Sequence, residues 1–121
     1  DLEGGLDAPV SQGGTNFSGG QRQRLCIARA LVSRATVYLF DDSFSALDLR
    51  TDRALRTALE PYTRDSTVFL VAQRVSTIRD ADQIVVLEDG RVVGLGTHDE
   101  LLRDCAEYQG ICASQRIEDA A

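Results

Sequence analysis

Five consecutive residues, Phe17-Ser18-Gly19-Gly20-Gln21, have the composition of a site for a small anion. A helix that starts here presents unpaired N–H groups and the positive end of its dipole. Glycines without Cβ let an anion approach the backbone, and Ser18 adds a hydroxyl donor. The same five residues also suit an ordinary glycine-rich loop capped by Ser18. Further along, Val37-Tyr38-Leu39-Phe40 runs into Asp41-Asp42. A strand that ends in two carboxylates sets them at the C-terminal edge of a sheet, where open α/β folds bind ligands. One acid could hold Mg²⁺ through water, and its neighbour could orient or deprotonate a nucleophilic water. An acidic turn that caps the next helix is the other reading of that pair.

These residues need elements to position them. Ser18 and Gln21 have the capping-box spacing, and Gln21–Val32 carries Leu25, Ala28, Leu31 and Val32 on one helical face, after a glycine-rich loop over 4–20. Thr36–Phe40 and Thr67–Ala72 read as strands buried on both faces. Between them a helix is expected over about Leu49–Leu59, with Ala54, Leu55, Ala58 and Leu59 on one side and Pro61 as its stop. Ile84–Leu87 and Val92–Leu95 flank Asp89-Gly90, a strong hairpin signal. Thr97 and Glu100 form a second capping-box pattern; Tyr108, Ile111, Cys112 and Gln115 continue a helical face, and the tail from Glu118 is expected to fray. Strands alternating with helices, followed by a hairpin and terminal helices, make an α/β chain of one domain or part of one.

Composition narrows the function. The 121 residues carry a net charge of −6, without the basic footprint of a nucleic-acid surface. No apolar run approaches the ~18 residues that span a bilayer. Asp1–Gly5 lack the features of a signal peptide and read as an entry into the middle of something larger. The three cysteines have no C-x-x-C spacing and suit idle or buried thiols. All 13 basic residues are arginine.

In order along the chain, these segments resemble the ATP-binding domain of ABC transporters. Asn16–Arg24 is similar to the family signature, with Phe17 where Leu is usual; Val37–Asp41 resembles Walker B, and Ser45-Ala46-Leu47-Asp48 the D-loop. Ala72-Gln73-Arg74-Val75-Ser76-Thr77 sits at the switch loop, and Ala81–Gly90 with Gly96–Leu102 resembles the C-terminal hairpin and helix. Val10–Gly14 is similar to the X-loop of exporter-type members, with Gln12 in place of an acid. The resemblance implies the C-terminal portion of a P-loop NTPase domain over 1–121, lacking the Walker A strand and loop. It divides the chain into a signature loop and helix at 10–33, Walker B and D-loop at 36–48, a switch loop at 67–77, and hairpin and helices at 83–117.

The resemblance also assigns roles. Two such domains pair head to tail, each giving its signature to the other's ATP. Ser18, Gly19, Gly20 and Gln21 would contact the γ-phosphate bound by the partner, Asp48 would cross the interface, Asp41 would hold Mg²⁺ through water, Asp42 would be the catalytic base and Gln73 the γ-phosphate sensor. Asp42 stands where active members carry Glu, and Gln73 where they carry His. Losing one methylene withdraws a carboxylate by about 1.5 Å, and an amide cannot shuttle a proton as histidine does. The pair of changes resembles the degenerate subunit of a heterodimeric exporter. Such a protein couples ATP hydrolysis to transport at the cytoplasmic face of a membrane, with a transmembrane domain on the same polypeptide and no nucleic acid. A soluble ABC ATPase of DNA repair or chromosome maintenance shares the signature and Walker B, and a truncated, non-catalytic interaction module fits the missing lysine. His98, the only histidine, falls at a helix start and is expected to be structural.

Overall fold

Ser18 and Gln21 close the capping box that sets where the first helix begins. The N–H of Gln21 donates to Ser18 Oγ at 3.2 Å, and the N–H of Ser18 donates to Gln21 Oε1 at 2.8 Å. Helix α1 accordingly spans Gly19–Val32 in the computed structural model, which describes residues 4–119. Its buried residue is Ile27; the expected face fails, because Leu25 and Val32 are exposed. Helical spacing shows which residues share a face, not which face meets a neighbour. The preceding loop contains two short 3-10 turns, Gly5–Asp7 and Gln12–Gly14. Asn16 braces it, accepting from the N–H of Ser11 and donating to the carbonyl of Pro9.

Strand β1 (Val37–Asp41), helix α2 (Leu49–Thr63) and strand β2 (Thr67–Val71) follow, and the two strands form a two-stranded sheet. The N–H of Thr67 donates to the carbonyl of Thr36 and Ser66 Oγ to that of Ala35, bracing the entry to the pair. Burial on both faces is not what the structure shows. Tyr38 and Phe40 are buried, while Val37 and Leu39 on the alternate positions, and Val68, Phe69 and Val71 of β2, are exposed. An apolar run records what a strand can bury; among the described residues only one face of β1 is covered. On that face the Tyr38 and Phe40 rings stack with centroids 6.0 Å apart, and Phe44 packs on Phe40 at 5.7 Å.

Asp48 caps α2, accepting from the N–H and the hydroxyl of Thr51 at 2.9 and 2.7 Å. Asp52, one turn in, is almost completely buried and ion-paired to Arg56 at 3.0 Å. Pro61 does not stop the helix, which continues to Thr63. Pro61 cannot donate to the carbonyl four residues back, yet the residues around it keep their helical course, and Thr63 Oγ1 donates back to the carbonyl of Leu59 at 3.2 Å.

The chain divides into two compact units, one up to Phe69 and the other from Leu70. No linker composition marks the division, since it falls inside β2. In the second unit a short helix that the sequence did not suggest, α3 (Val75–Ile78), precedes strands β3 (Ile84–Glu88) and β4 (Arg91–Gly96) and helices α4 (His98–Asp104) and α5 (Ala106–Asp119). The hairpin matches expectation: Asp89 and Gly90 both have positive φ, 47° and 74°, as the tight two-residue turn requires. The register is Glu88 with Arg91, Leu87 with Val92 and Val86 with Gly94, so that Val93 forms a bulge. Ile84, Val86, Leu101, Cys105, Tyr108 and Cys112 make the core of this unit. His98 is structural, sharing a 2.8 Å hydrogen bond between Nδ1 and the Tyr108 hydroxyl; burial, and then Cys112, pushes that phenol up to about 12. Helix α5 runs to Asp119, past the Glu118 at which fraying is expected.

Candidate functional site

Asp41 ends β1 and is exposed, and Asp42 begins the turn after it with φ at 48°. Asp is among the few residues that accept this left-handed conformation readily. Three donors fix the turn by converging on the Asp42 carbonyl: Gln23 Nε2 at 3.3 Å, the N–H of Ser45 at 3.3 Å and Ser45 Oγ at 3.0 Å. Gln23 also donates to Ser45 Oγ at 3.1 Å and accepts from the N–H of Ala46 at 3.0 Å. Sequence reading missed this role for Gln23, because nothing in the spacing says which loop a helix side chain will meet. Around these residues lies an open cleft of about 430 Å³, lined among others by Gly19, Arg22, Gln23, Asp41 and Asp42.

The start of α1 thus borders the cleft beside the two acids. Its cap uses the N–H groups of Ser18 and Gln21, leaving those of Gly19 and Gly20 as the remaining first-turn donors. Gly20 has a second reason to be glycine: a methyl there would stand 3.2 Å from Leu47 Cδ2 and 3.3 Å from the Ala46 carbonyl oxygen. Ser18, Gly20 and Gln21 do not line the cleft, nor does Asp48, whose carboxylate caps α2. The Thr51 hydroxyl, then its N–H, hold that carboxylate below the usual range. A signal for this role was present in the sequence: Asp48 stands just before a helix, with Thr51 three residues on.

Gln73 lies in the second unit, exposed, just before α3. Its carbonyl accepts from Gln115 Nε2 at 2.5 Å, and Gln115 Oε1 accepts from the N–H of Val75 at 2.8 Å.

The family profile described as ABC transporter matches residues 1–45. An uncharacterized ABC transporter ATP-binding protein of Mycobacterium tuberculosis is 50% identical over 113 residues, 93% of this chain and 19% of its own length. The ATP-dependent lipid A-core flippase of Photobacterium profundum is 48% identical over 104 residues, 86% of this chain and 18% of its own. A solved bacterial Atm1-family ABC exporter with ATP bound superposes with a TM-score of 0.89 at 39% identity, covering 94% of this chain and 20% of that one. The chain belongs to the ABC transporter ATP-binding family. It spans about a fifth of the length of the relatives it matches.

As part of an ABC ATP-binding domain, the chain has the α/β fold expected of the C-terminal portion of this P-loop NTPase. None of its 121 residues is lysine, so no Walker A motif lies within them. The donors present suit Mg-ATP in part. First-turn N–H groups at Gly19 and Gly20 fit a phosphate oxygen, and the exposed Asp41 fits a cation that keeps its water shell. Among the described residues no cluster of three or more His, Cys, Asp or Glu could cage a metal ion directly. Also among them, no helix is long and apolar enough to cross a membrane.

Proposed function

We propose that this chain forms part of the ATPase of an ABC exporter, at the cytoplasmic face of a membrane, coupled to a transmembrane domain of the same polypeptide. The observation that carries this reading is the cleft shared by the glycine-bearing start of α1 and the two acids that end β1. In the assembled transporter, Ser18, Gly19, Gly20 and Gln21 meet the γ-phosphate of ATP bound by a second ABC domain, and Asp48 lies at the interface with it. Asp41 holds Mg²⁺ through water, Asp42 is the base and Gln73 the γ-phosphate sensor. Two of these residues are poorly suited to their roles, since Asp42 is a methylene shorter than Glu and Gln73 cannot ionise. The subunit therefore acts mainly through its signature, in a site whose hydrolytic residues belong to its partner, and the transporter is a heterodimer. Without a lysine to hold phosphate, the 121-residue chain alone is expected to bind Mg-ATP no tighter than millimolar.

The test is ATP turnover by the full-length protein with its partner in lipid vesicles. Mg²⁺-dependent hydrolysis is expected; its complete absence would falsify the reading. Calorimetry on the 121-residue chain addresses the second point, where a micromolar dissociation constant would show that other residues of the chain hold phosphate.

A further inference from the structure

Gln115 reaches the expected γ-phosphate sensor without being part of any motif that resembles the family's. It lies on α5, three residues beyond Cys112 and seven beyond Tyr108, so all three share a helix face. Tyr108 and Cys112 are buried in the second unit's core, against which Val75 and Ile78 of α3 also pack. That packing fixes α5 beside α3, and Gln115 joins them through a two-point clamp. Its Nε2 donates to the carbonyl of Gln73 at 2.5 Å, and its Oε1 accepts from the N–H of Val75 at 2.8 Å. The clamped groups flank Arg74, so the backbone is held on both sides of one residue. With the carbonyl of Gln73 pinned, the peptide plane after that residue can no longer rotate freely, and with it the direction of the side chain is constrained.

We propose that Gln115 is a positioning residue for Gln73: helix α5 sets the switch-loop backbone, and through it the aim of the amide that senses the γ-phosphate. This rests on the ATPase reading above for its consequence, but the clamp itself does not. In a reaction that depends on near-attack geometry, a misplacement of about 1 Å lowers the rate by on the order of a hundredfold. Loosening a two-bond clamp, which leaves the helix packing in place, is expected to lower turnover by only a few-fold, because Gln73 serves the weaker of the transporter's two sites.

The experiment uses the full-length transporter with Gln115→Met and Gln115→Glu. Methionine keeps the length and flexibility of the side chain and loses both hydrogen bonds; glutamate keeps the acceptor for Val75 and loses the donor to Gln73. For Gln115→Met, amide hydrogen exchange in the peptide spanning Val75 should quicken by about tenfold, since exchange reports local opening. kcat should fall by a few-fold, no more than in Asp42→Asn, while KM for ATP is unchanged. Gln115→Glu should keep slow exchange at Val75 and still lose turnover. Unchanged exchange in Gln115→Met overturns the clamp, whether or not the protein hydrolyses ATP. Faster exchange with wild-type kcat overturns the positioning role, as does a lower rate that wholly tracks a loss of folded protein. If the wild type hydrolyses no ATP, the functional reading falls, and the exchange measurement still decides the clamp.

Discussion

The side-chain amide of Gln23 donates at 3.3 Å to the backbone carbonyl of Asp42, nineteen positions away along the chain. The helix that carries Gly19 and Gly20 is thereby joined to the turn that carries Asp42. Gln23 also bonds to Ser45 and Ala46, so Gln23→Met removes three contacts at once from a half-buried position. The loss is expected to destabilise the fold by about 1–3 kcal/mol, the worth of a few such bonds with partial solvent compensation. Urea denaturation of the wild type and the variant measures it. An unshifted midpoint would mean that Ser45 holds the turn without help from α1.

Restoring the family's residues should raise turnover. Three hydrogen bonds hold the carbonyl of residue 42, so Asp42→Glu extends the carboxylate from an anchored backbone, at a cost of about 1 kcal/mol for the longer side chain at a left-handed φ. Gln73→His adds a group that can ionise. Recovering about 1.5 Å of reach in a step where about 1 Å is worth on the order of a hundredfold should increase ATP turnover of the assembled transporter at least several-fold. If the double variant turns over ATP at the wild-type rate, carboxylate reach is not what limits this site.

Acid should loosen α2 through Asp48. The Thr51 hydroxyl and N–H hold this carboxylate below its ordinary value of 3.8 in the folded protein. A depressed value means that the charged form stabilises the fold above 3.8, and that this stabilisation is lost as pH falls through the lower folded value. Asn caps as well as Asp but does not titrate in this range. Far-UV circular dichroism from neutral pH downward should show a flatter acid limb for Asp48→Asn than for the wild type. Superimposable curves would show that the cap does not contribute to acid unfolding.

The caps and the turn were legible because each is decided locally. Ser18 with Gln21, Thr97 with Glu100, and Asp89-Gly90 take their conformations from residues within three positions of one another. Burial was not legible in the same way. Val37 and Leu39 have the composition of core residues and are exposed, because burial depends on what lies opposite. Proline gave the wrong end to α2, since its missing N–H removes a single bond and does not by itself stop the residues after it from staying helical. Motif resemblance gave roles to Asp41, Asp42 and Gln73, but none to Gln23, although it lies within the signature stretch, and none to Gln115; these two hold the backbones of Asp42 and Gln73. Gln23 and Gln115 make contacts 19 and 42 residues away, and only the folded chain brings those together.

Ser18 separates a phosphate-binding helix start from a merely capped loop, the two readings that its sequence left open. The structure shows that Ser18 does cap α1, so the expected variant must preserve that role. Gly20→Asp does not, because any side chain there meets Leu47 and the Ala46 carbonyl. Ser18→Asp does: aspartate is as good an N-cap as serine, and its charge complements the helix dipole. In a simple capped loop this variant would be neutral or mildly stabilising. Against a bound γ-phosphate it sets like charges together in a dry interface, which costs several kcal/mol and about a hundredfold or more in rate. On the proposed division of labour, Asp42→Asn removes a carboxylate too short to work well, so it should change turnover by only a few-fold. ATPase rates and melting temperatures of both variants in the assembled transporter decide the matter. Ser18→Asp should melt no lower than the wild type and lose nearly all turnover. Wild-type turnover in Ser18→Asp would leave Ser18 as a cap and nothing more. If Asp42→Asn proves as damaging as Ser18→Asp, the subunit hydrolyses ATP in its own site, and the division of labour proposed above is wrong.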